Sequence, residues 1–184
     1  MYPKAAIFKA SSLAMLLSLS ALTISAHAVD SMSLEVDGGA KVQAARVAAQ
    51  WKWNKQWLNA NDMSFTGYWD LSLGQWRGNA YQEVPGAHQN LTDIGFTPMF
   101  RYMNNSRKGF FAEAGTGPHL LSHAYDNNGR RLSTAFQFRT LLGVGYVFDN
   151  KMDISLNVSH FSNGGIKQPN NGQNFAGVKL GYSF

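Results

Sequence analysis

From residue 174 to the end of the chain, apolar side chains alternate with polar or small ones at a period of two. Ala176, Val178, Leu180, Tyr182 and Phe184 fall on one face of an extended strand, and Gly177, Lys179, Gly181 and Ser183 fall on the other. One wall of such a strand is apolar, and the other is wet or tightly crowded. The pattern recurs upstream. Ala45, Val47, Ala49, Trp51 and Trp53 alternate with Arg46, Ala48, Gln50 and Lys52, while Phe65, Gly67, Trp69, Leu71 and Leu73 alternate with Thr66, Tyr68, Asp70, Ser72 and Gly74. A long run from Leu132 to Phe148 sets Thr134, Phe136, Phe138, Thr140, Leu142, Val144 and Tyr146 against Ser133, Ala135, Gln137, Arg139, Gly143 and Gly145. Ile154, Leu156, Val158 and His160 alternate with Asp153, Ser155, Asn157 and Ser159. Less regular strands are expected near 32–38, 91–103 and 109–119, which makes about eight, an even number matching the smallest bacterial barrels.

A soluble β-sandwich also alternates, and two features favour a membrane over it. The segments outrun the usual five or six residues of soluble strands, roughly the length that crosses a bilayer at a tilt. Trp51, Trp53, Trp57, Trp69 and Trp76 stand near the expected strand ends, where an aromatic girdle belongs. After the N-terminal region no run is apolar over the roughly 20 residues that a spanning helix needs. A chain of this kind enters a bilayer only as a closed barrel, in which every backbone polar group is paired. The expected fold is therefore all-β, an eight-stranded antiparallel transmembrane β-barrel. Its joins at 104–108 and 149–151 are short, and those at 78–90, 120–131 and 163–173 are long. With both termini in the periplasm, the three long loops lie outside, as in bacterial outer-membrane barrels.

The N-terminus reads as an export signal. Lys4 and Lys9 precede an apolar stretch from Leu13 to Ile24, and Ala26-His27-Ala28 fits a cleavage site. Residues 1–28 are the signal peptide and 29–184 the barrel domain, about 155 residues and enough for one domain. The expected address is the outer membrane of a Gram-negative bacterium. The chain has no cysteine, which excludes disulfides, thiolate metal sites and a cysteine nucleophile. A net charge of +5, counted with the signal's lysines, suits an anionic membrane surface and its lipids better than nucleic acid.

The chemistry sits in Ser159-His160-Phe161-Ser162-Asn163-Gly164-Gly165. Residues two apart on a strand share a face at about 6.5–7 Å, so His160 can serve as general base to the Ser162 hydroxyl. His160 continues the apolar stripe of Ile154, Leu156 and Val158, which points the pair outward at lipid near the outer rim. Polar groups in hydrocarbon are costly, and that position asks for a function. The turn that follows can aim backbone N–H groups at a developing oxyanion. A solvated pair of interfacial residues at a loop start is the competing reading. His88, His119 and His123 lack the spacing of metal ligands, and no metal or other cofactor is expected.

The chain resembles the PagL-like lipid A 3-O-deacylases of Gram-negative outer membranes over most of its mature length. The resemblance rests on Trp51-Lys52-Trp53 with Trp57, Thr66-Gly67-Tyr68-Trp69-Asp70, Phe111-Ala112-Glu113-Ala114-Gly115 and Phe136-Gln137-Phe138. It ends in the long run from His160 through Asn163-Gly164-Gly165-Ile166-Lys167-Gln168-Pro169 to Asn170. It implies an ester hydrolase acting on lipid A or lipopolysaccharide, with His160 as base and Ser162 as nucleophile. It also implies an oxyanion site at the backbone of Asn163 and Gly165, and a role at the substrate for Phe138. The family's third catalytic residue is a Glu, and that position here is Asn174. Asn174 shares the outward parity of Ala176 and can hold the imidazole N–H, but it offsets no imidazolium charge. Asp149 and Asp153 lie at the periplasmic end, Glu113 faces the lumen, and Glu83 and Asp126 belong to outer loops. Basic residues of the outer half (Arg77, Arg130, Arg131 and Lys167) are candidates for the lipid A phosphates. A phospholipase-type esterase and a weakly active or inactive structural or lipid-binding barrel remain alternatives. The sequence leaves a homodimer open.

Overall fold

The computed structural model describes residues 28–184, so the signal-peptide segment up to residue 27 lies outside the described residues. The strands are β1 (Ser31–Gly39), β2 (Val42–Lys52), β3 (Trp57–Ala60), β4 (Met63–Gly78), β5 (Gln89–Asn104) and β6 (Gly109–Leu121). They continue with β7 (Tyr125–Asn127), β8 (Arg130–Leu132), β9 (Phe136–Val147), β10 (Met152–Ser162) and β11 (Gln173–Ser183). Eight of them close a ring in the order β1, β2, β4, β5, β6, β9, β10, β11 and back to β1, every pair antiparallel. Closure leaves no sheet edge for lipid to meet. The short β3 pairs with β4 below the wall, and β7 and β8 form a hairpin within the long loop between β6 and β9. Asn128 and Gly129 turn that hairpin with φ of 53° and 70°, the left-handed pair a two-residue hairpin favours.

Side chains alternate as the period of two requires. Met32, Leu34 and Val36 of β1 and Val178, Leu180 and Tyr182 of β11 are exposed, facing the bilayer, while Ser33, Glu35, Asp37 and Lys179 are buried within. An eight-stranded barrel is just wide enough for side chains to fill its interior. Its inner residues are polar and largely paired. Arg46 bonds Glu35, Asp37 and Asp93 at 3.3, 3.1 and 3.0 Å. Nearer the periplasm Glu113 takes Lys179, Arg101 and the Tyr68 hydroxyl.

The outer mouth is closed differently, by an apolar plug. Trp76, Leu91, Leu121, Tyr125, Leu132, Phe161 and Phe175 pack there with Val42. Two sequence expectations change at this point. Trp76 is no girdle residue: its parity on β4 turns it inward, fully buried, with its indole N–H 2.6 Å from Asp93. Leu132 does not begin the β9 strand; it ends the loop hairpin and is buried in the plug. The remaining tryptophans cluster near the inner ends of β2 and β4. Trp53 meets the rings of Trp57, Trp69 and Phe100 at 5.8, 5.4 and 5.0 Å, as an interfacial belt does.

Candidate active site

The last two strands before the C-terminus carry the site, and their alternation builds it. On β10, His160 and Ser162 face outward while Phe161 between them turns in. On β11, Asn174 faces outward while Phe175 turns in. Phe161 and Phe175 both pack edge-on against Trp76, at 4.6 and 4.8 Å between ring centroids. Each reactive position is thus flanked in sequence by an aromatic anchor in the plug. Anchors of this kind fix the backbone under a site that must hold its geometry against fluid lipid.

The register sets His160 opposite Asn174 on one side and Thr140 of β9 on the other, with Ser162 opposite Phe138. Asn174 Oδ1 lies 2.6 Å from His160 Nδ1. With a carbonyl oxygen facing it, Nδ1 carries the hydrogen and Nε2 keeps the lone pair that a base needs. Among the described residues no hydrogen bond joins the imidazole to the Ser162 hydroxyl; in empty sites such bonds are often long and tighten with substrate. Below the pair lies an outward groove of about 520 Å³, lined by His160, Thr140, Val158, Asn174, Ala176 and Gly38.

The turn after Ser162 is held by one buried side chain. Asn163 donates from Nδ2 to the Lys167 carbonyl at 2.7 Å and accepts at Oδ1 from the Gly165 N–H at 3.0 Å. Its own N–H donates to Asn170 Oδ1 at 3.1 Å. Both N–H groups expected at an oxyanion are therefore engaged within the loop. The N–H between them, on Gly164, has no partner among the described residues. Gly164 and Gly165 have φ of 65° and 83°, the left-handed region that favours glycine, and Gly164 rests on the Phe138 ring.

Several contributors escape sequence reasoning. Gly172 lies against the imidazole so closely that a Cβ there would come 2.4 Å from His160 Cε1. Its φ of 70° is signalled in sequence only by the Asn171-Gly172 dipeptide, an ordinary turn mark. Arg130 reaches over from β8 to donate to the carbonyls of Asn171 and Gly172 at 3.3 and 3.1 Å, pinning that segment. Arg131 is occupied by Asp126 at 2.9 Å. Of the four basic candidates, Lys167 stays exposed without an ion pair among the described residues, and Arg77 contacts His88 at 3.3 Å. His119 is buried in the lumen, 2.9 Å from Asp93. No acidic side chain among the described residues bonds His160.

Comparison with known proteins decides the family. The family model described as lipid A 3-O-deacylase (PagL) matches residues 43–183. The chain belongs to the PagL family. A PagL lipid A deacylase of Pseudomonas aeruginosa is 32% identical over 163 residues, covering 87% of this chain and 90% of that protein. The PagL lipid A deacylase of Bordetella bronchiseptica is 33% identical over 123 residues, covering 65% and 67%. Among solved structures, the outer-membrane enzyme PagL superposes with a TM-score of 0.72 at 25% identity, covering 84% of this chain and 99% of that one. Neisserial surface protein A shares the barrel alone, with a TM-score of 0.53 at 15% identity. This PagL-family protein is thus an outer-membrane barrel.

Proposed function

We infer that this chain is a lipid A 3-O-deacylase, hydrolysing the ester-linked acyl chain of lipid A in the outer leaflet with Ser162 as nucleophile. The observation that carries the mechanism is the outward pairing of His160 with Asn174 beside Ser162, at the outer end of a lipid-facing strand. Ser162 Oγ attacks the ester carbonyl as its proton passes to His160 Nε2. The tetrahedral oxyanion forms against the turn backbone. The Gly164 N–H is free to receive it, and the Asn163 and Gly165 N–H groups join if they exchange their side-chain acceptors for it. Collapse breaks the bond to the sugar oxygen, which leaves with the proton from His160. Water, deprotonated by the same nitrogen, then attacks the acyl-serine, releasing the fatty acid and restoring the hydroxyl.

Lipid A would lie against the outer wall with its sugars level with the loops. Lys167, on the turn after Ser162 and without an ion pair among the described residues, faces its phosphates, whereas Arg77 stands on β4, opposite β10 in the ring; Phe138 supports the turn beneath Gly164. The test is mass spectrometry of lipid A and a glycerophospholipid incubated together with the purified, folded barrel. Wild type should remove one acyl chain, and Ser162→Ala and His160→Ala should remove none while remaining folded. Lysophospholipid as the product would favour phospholipase chemistry instead. Retained deacylation by Ser162→Ala would exclude this mechanism.

A further inference from the structure

Asn174 holds His160 at one edge, through a single hydrogen bond to Nδ1. The torsion that swings an imidazole about its Cβ–Cγ bond is broad, so one bond leaves the ring room to turn. A base that must keep Nε2 on Ser162 needs a second constraint. Gly172 supplies it. A Cβ built there would press on His160 Cε1 and lie 3.1 Å from Nε2, so the glycine main chain backs the ring beside its basic nitrogen.

Gly172 ends a strap, residues 169–172, that the β7–β8 hairpin of a different loop holds in antiparallel register. The Ser133 hydroxyl donates to the Pro169 carbonyl at 2.8 Å, and Leu132 bridges Asn170. The Asn171 N–H donates to the Arg131 carbonyl at 3.0 Å, and the Arg131 N–H donates to Asn171 Oδ1 at 3.0 Å. Last in the ladder, Arg130 Nη1 donates to the carbonyls of Asn171 and Gly172. Of these ties, that of Arg130 alone reaches Gly172 itself. The hairpin is fixed in turn, because Leu132 is buried in the plug and the Tyr125 hydroxyl donates to Gln173 Oε1 at 3.2 Å. The strap also meets the other half of the site, where Asn170 Oδ1 takes the Asn163 N–H at 3.1 Å.

We propose that Arg130 is a positioning residue of the reaction, holding Gly172 as a backstop that keeps the His160 ring aimed at Ser162. The proposal rests on the deacylase reading above. Arg130 acts through the ring and touches no reacting atom. An outer-loop arginine is also the usual choice for gripping a phosphate. Here, though, Arg131 is tied to Asp126, and Arg130 spends its guanidinium on the main chain. The two roles leave different marks. Loss of a phosphate contact weakens the binding of lipid A alone, whereas a ring that swings off Ser162 slows every ester.

The experiment measures kcat and KM of folded wild type, Arg130→Ala and Arg130→Gln on lipid A and on p-nitrophenyl butyrate, an ester without phosphate. Each variant should lose roughly ten- to a hundredfold in kcat on both esters, the scale of a misplacement near 1 Å, with KM within about twofold of wild type. Unchanged kcat in either folded variant overturns the proposal. So does a raised KM for lipid A with normal turnover of the small ester, the mark of a phosphate ligand. A second arm stands apart from catalysis. Nitrogen-15 NMR of the histidine rings compares wild type with Arg130→Ala, His160→Ala identifying the signals of residue 160. Those signals should shift or broaden once the backstop is loosened, and unaltered signals overturn the proposal. If wild type hydrolyses neither ester, the deacylase reading falls alone and the ring signals decide the role of Arg130.

Discussion

His160 is supported by an amide oxygen, Asn174 Oδ1, at the position where the family resemblance led to the expectation of a carboxylate. The amide fixes which nitrogen carries the hydrogen, but it cannot offset the positive ring that the proposed mechanism forms as Ser162 gives up its proton. In a serine-protease triad the Asp-to-Asn change lowers kcat about 10⁴-fold, chiefly through the wrong tautomer. Here the carbonyl faces the ring, so the tautomer is kept and mainly the charge is missing. Asn174→Glu should raise kcat by about tenfold or more, and Asn174→Ala should lower it. Equal rates for all three proteins would remove Asn174 from the mechanism. Gly172 is the second sensitive position. A methyl there meets His160 and forces a left-handed backbone on a residue with a Cβ, at about 1–2 kcal/mol. Gly172→Ala should cut the deacylation rate at least about tenfold through the displaced ring, with the barrel still heat-modifiable on gels.

Strands were the legible elements, because a bilayer on one side and a crowded lumen on the other impose the same alternation on every wall. The parity that set Ala176 and Val178 outward also put Asn174 beside His160, and the structure has both there. Between strands the alternation stops and tertiary packing takes over. Leu132 reads as the start of a strand by its period, yet the β7–β8 hairpin needs it as a buried stop. Trp76 reads as girdle by its place near a strand end, though its own parity already turned it inward. Neither the grip of Arg130 on Gly172 nor the plug is written in any local pattern. The plug nonetheless joins β4, β10 and β11 from within. Trp76→Ala should remove the surface on which Phe161 and Phe175 rest, costing about 3–5 kcal/mol in a urea unfolding experiment. Activity should fall with it, although residue 76 never touches lipid. Full activity at full stability would show that the strands keep their positions without the plug.

Across the whole molecule, charge holds the walls together where apolar contact cannot. Arg46 on β2 draws on acids from β1 and β5, and Arg139 of β9 bonds Glu35 across the lumen. Arg46→Met would take the guanidinium from buried Asp37 and leave Asp93 only Trp76 and His119, so the barrel should lose about 3–5 kcal/mol by the same urea measurement. A change in stability of less than 1 kcal/mol, roughly, would mean that water replaces the guanidinium there. The interior is thus spent on cohesion, and the reactive pair is left on the outer wall. That placement changes how the enzyme meets its substrate. On the proposed mechanism lipid A reaches His160 and Ser162 by sliding sideways within the leaflet, never by leaving it, so the encounter is two-dimensional. The reaction should follow the mole fraction of lipid A in the surface rather than its amount per litre. Adding inert detergent at constant lipid A should slow turnover through surface dilution, and enlarging the volume of a suspension of fixed composition should leave it unchanged.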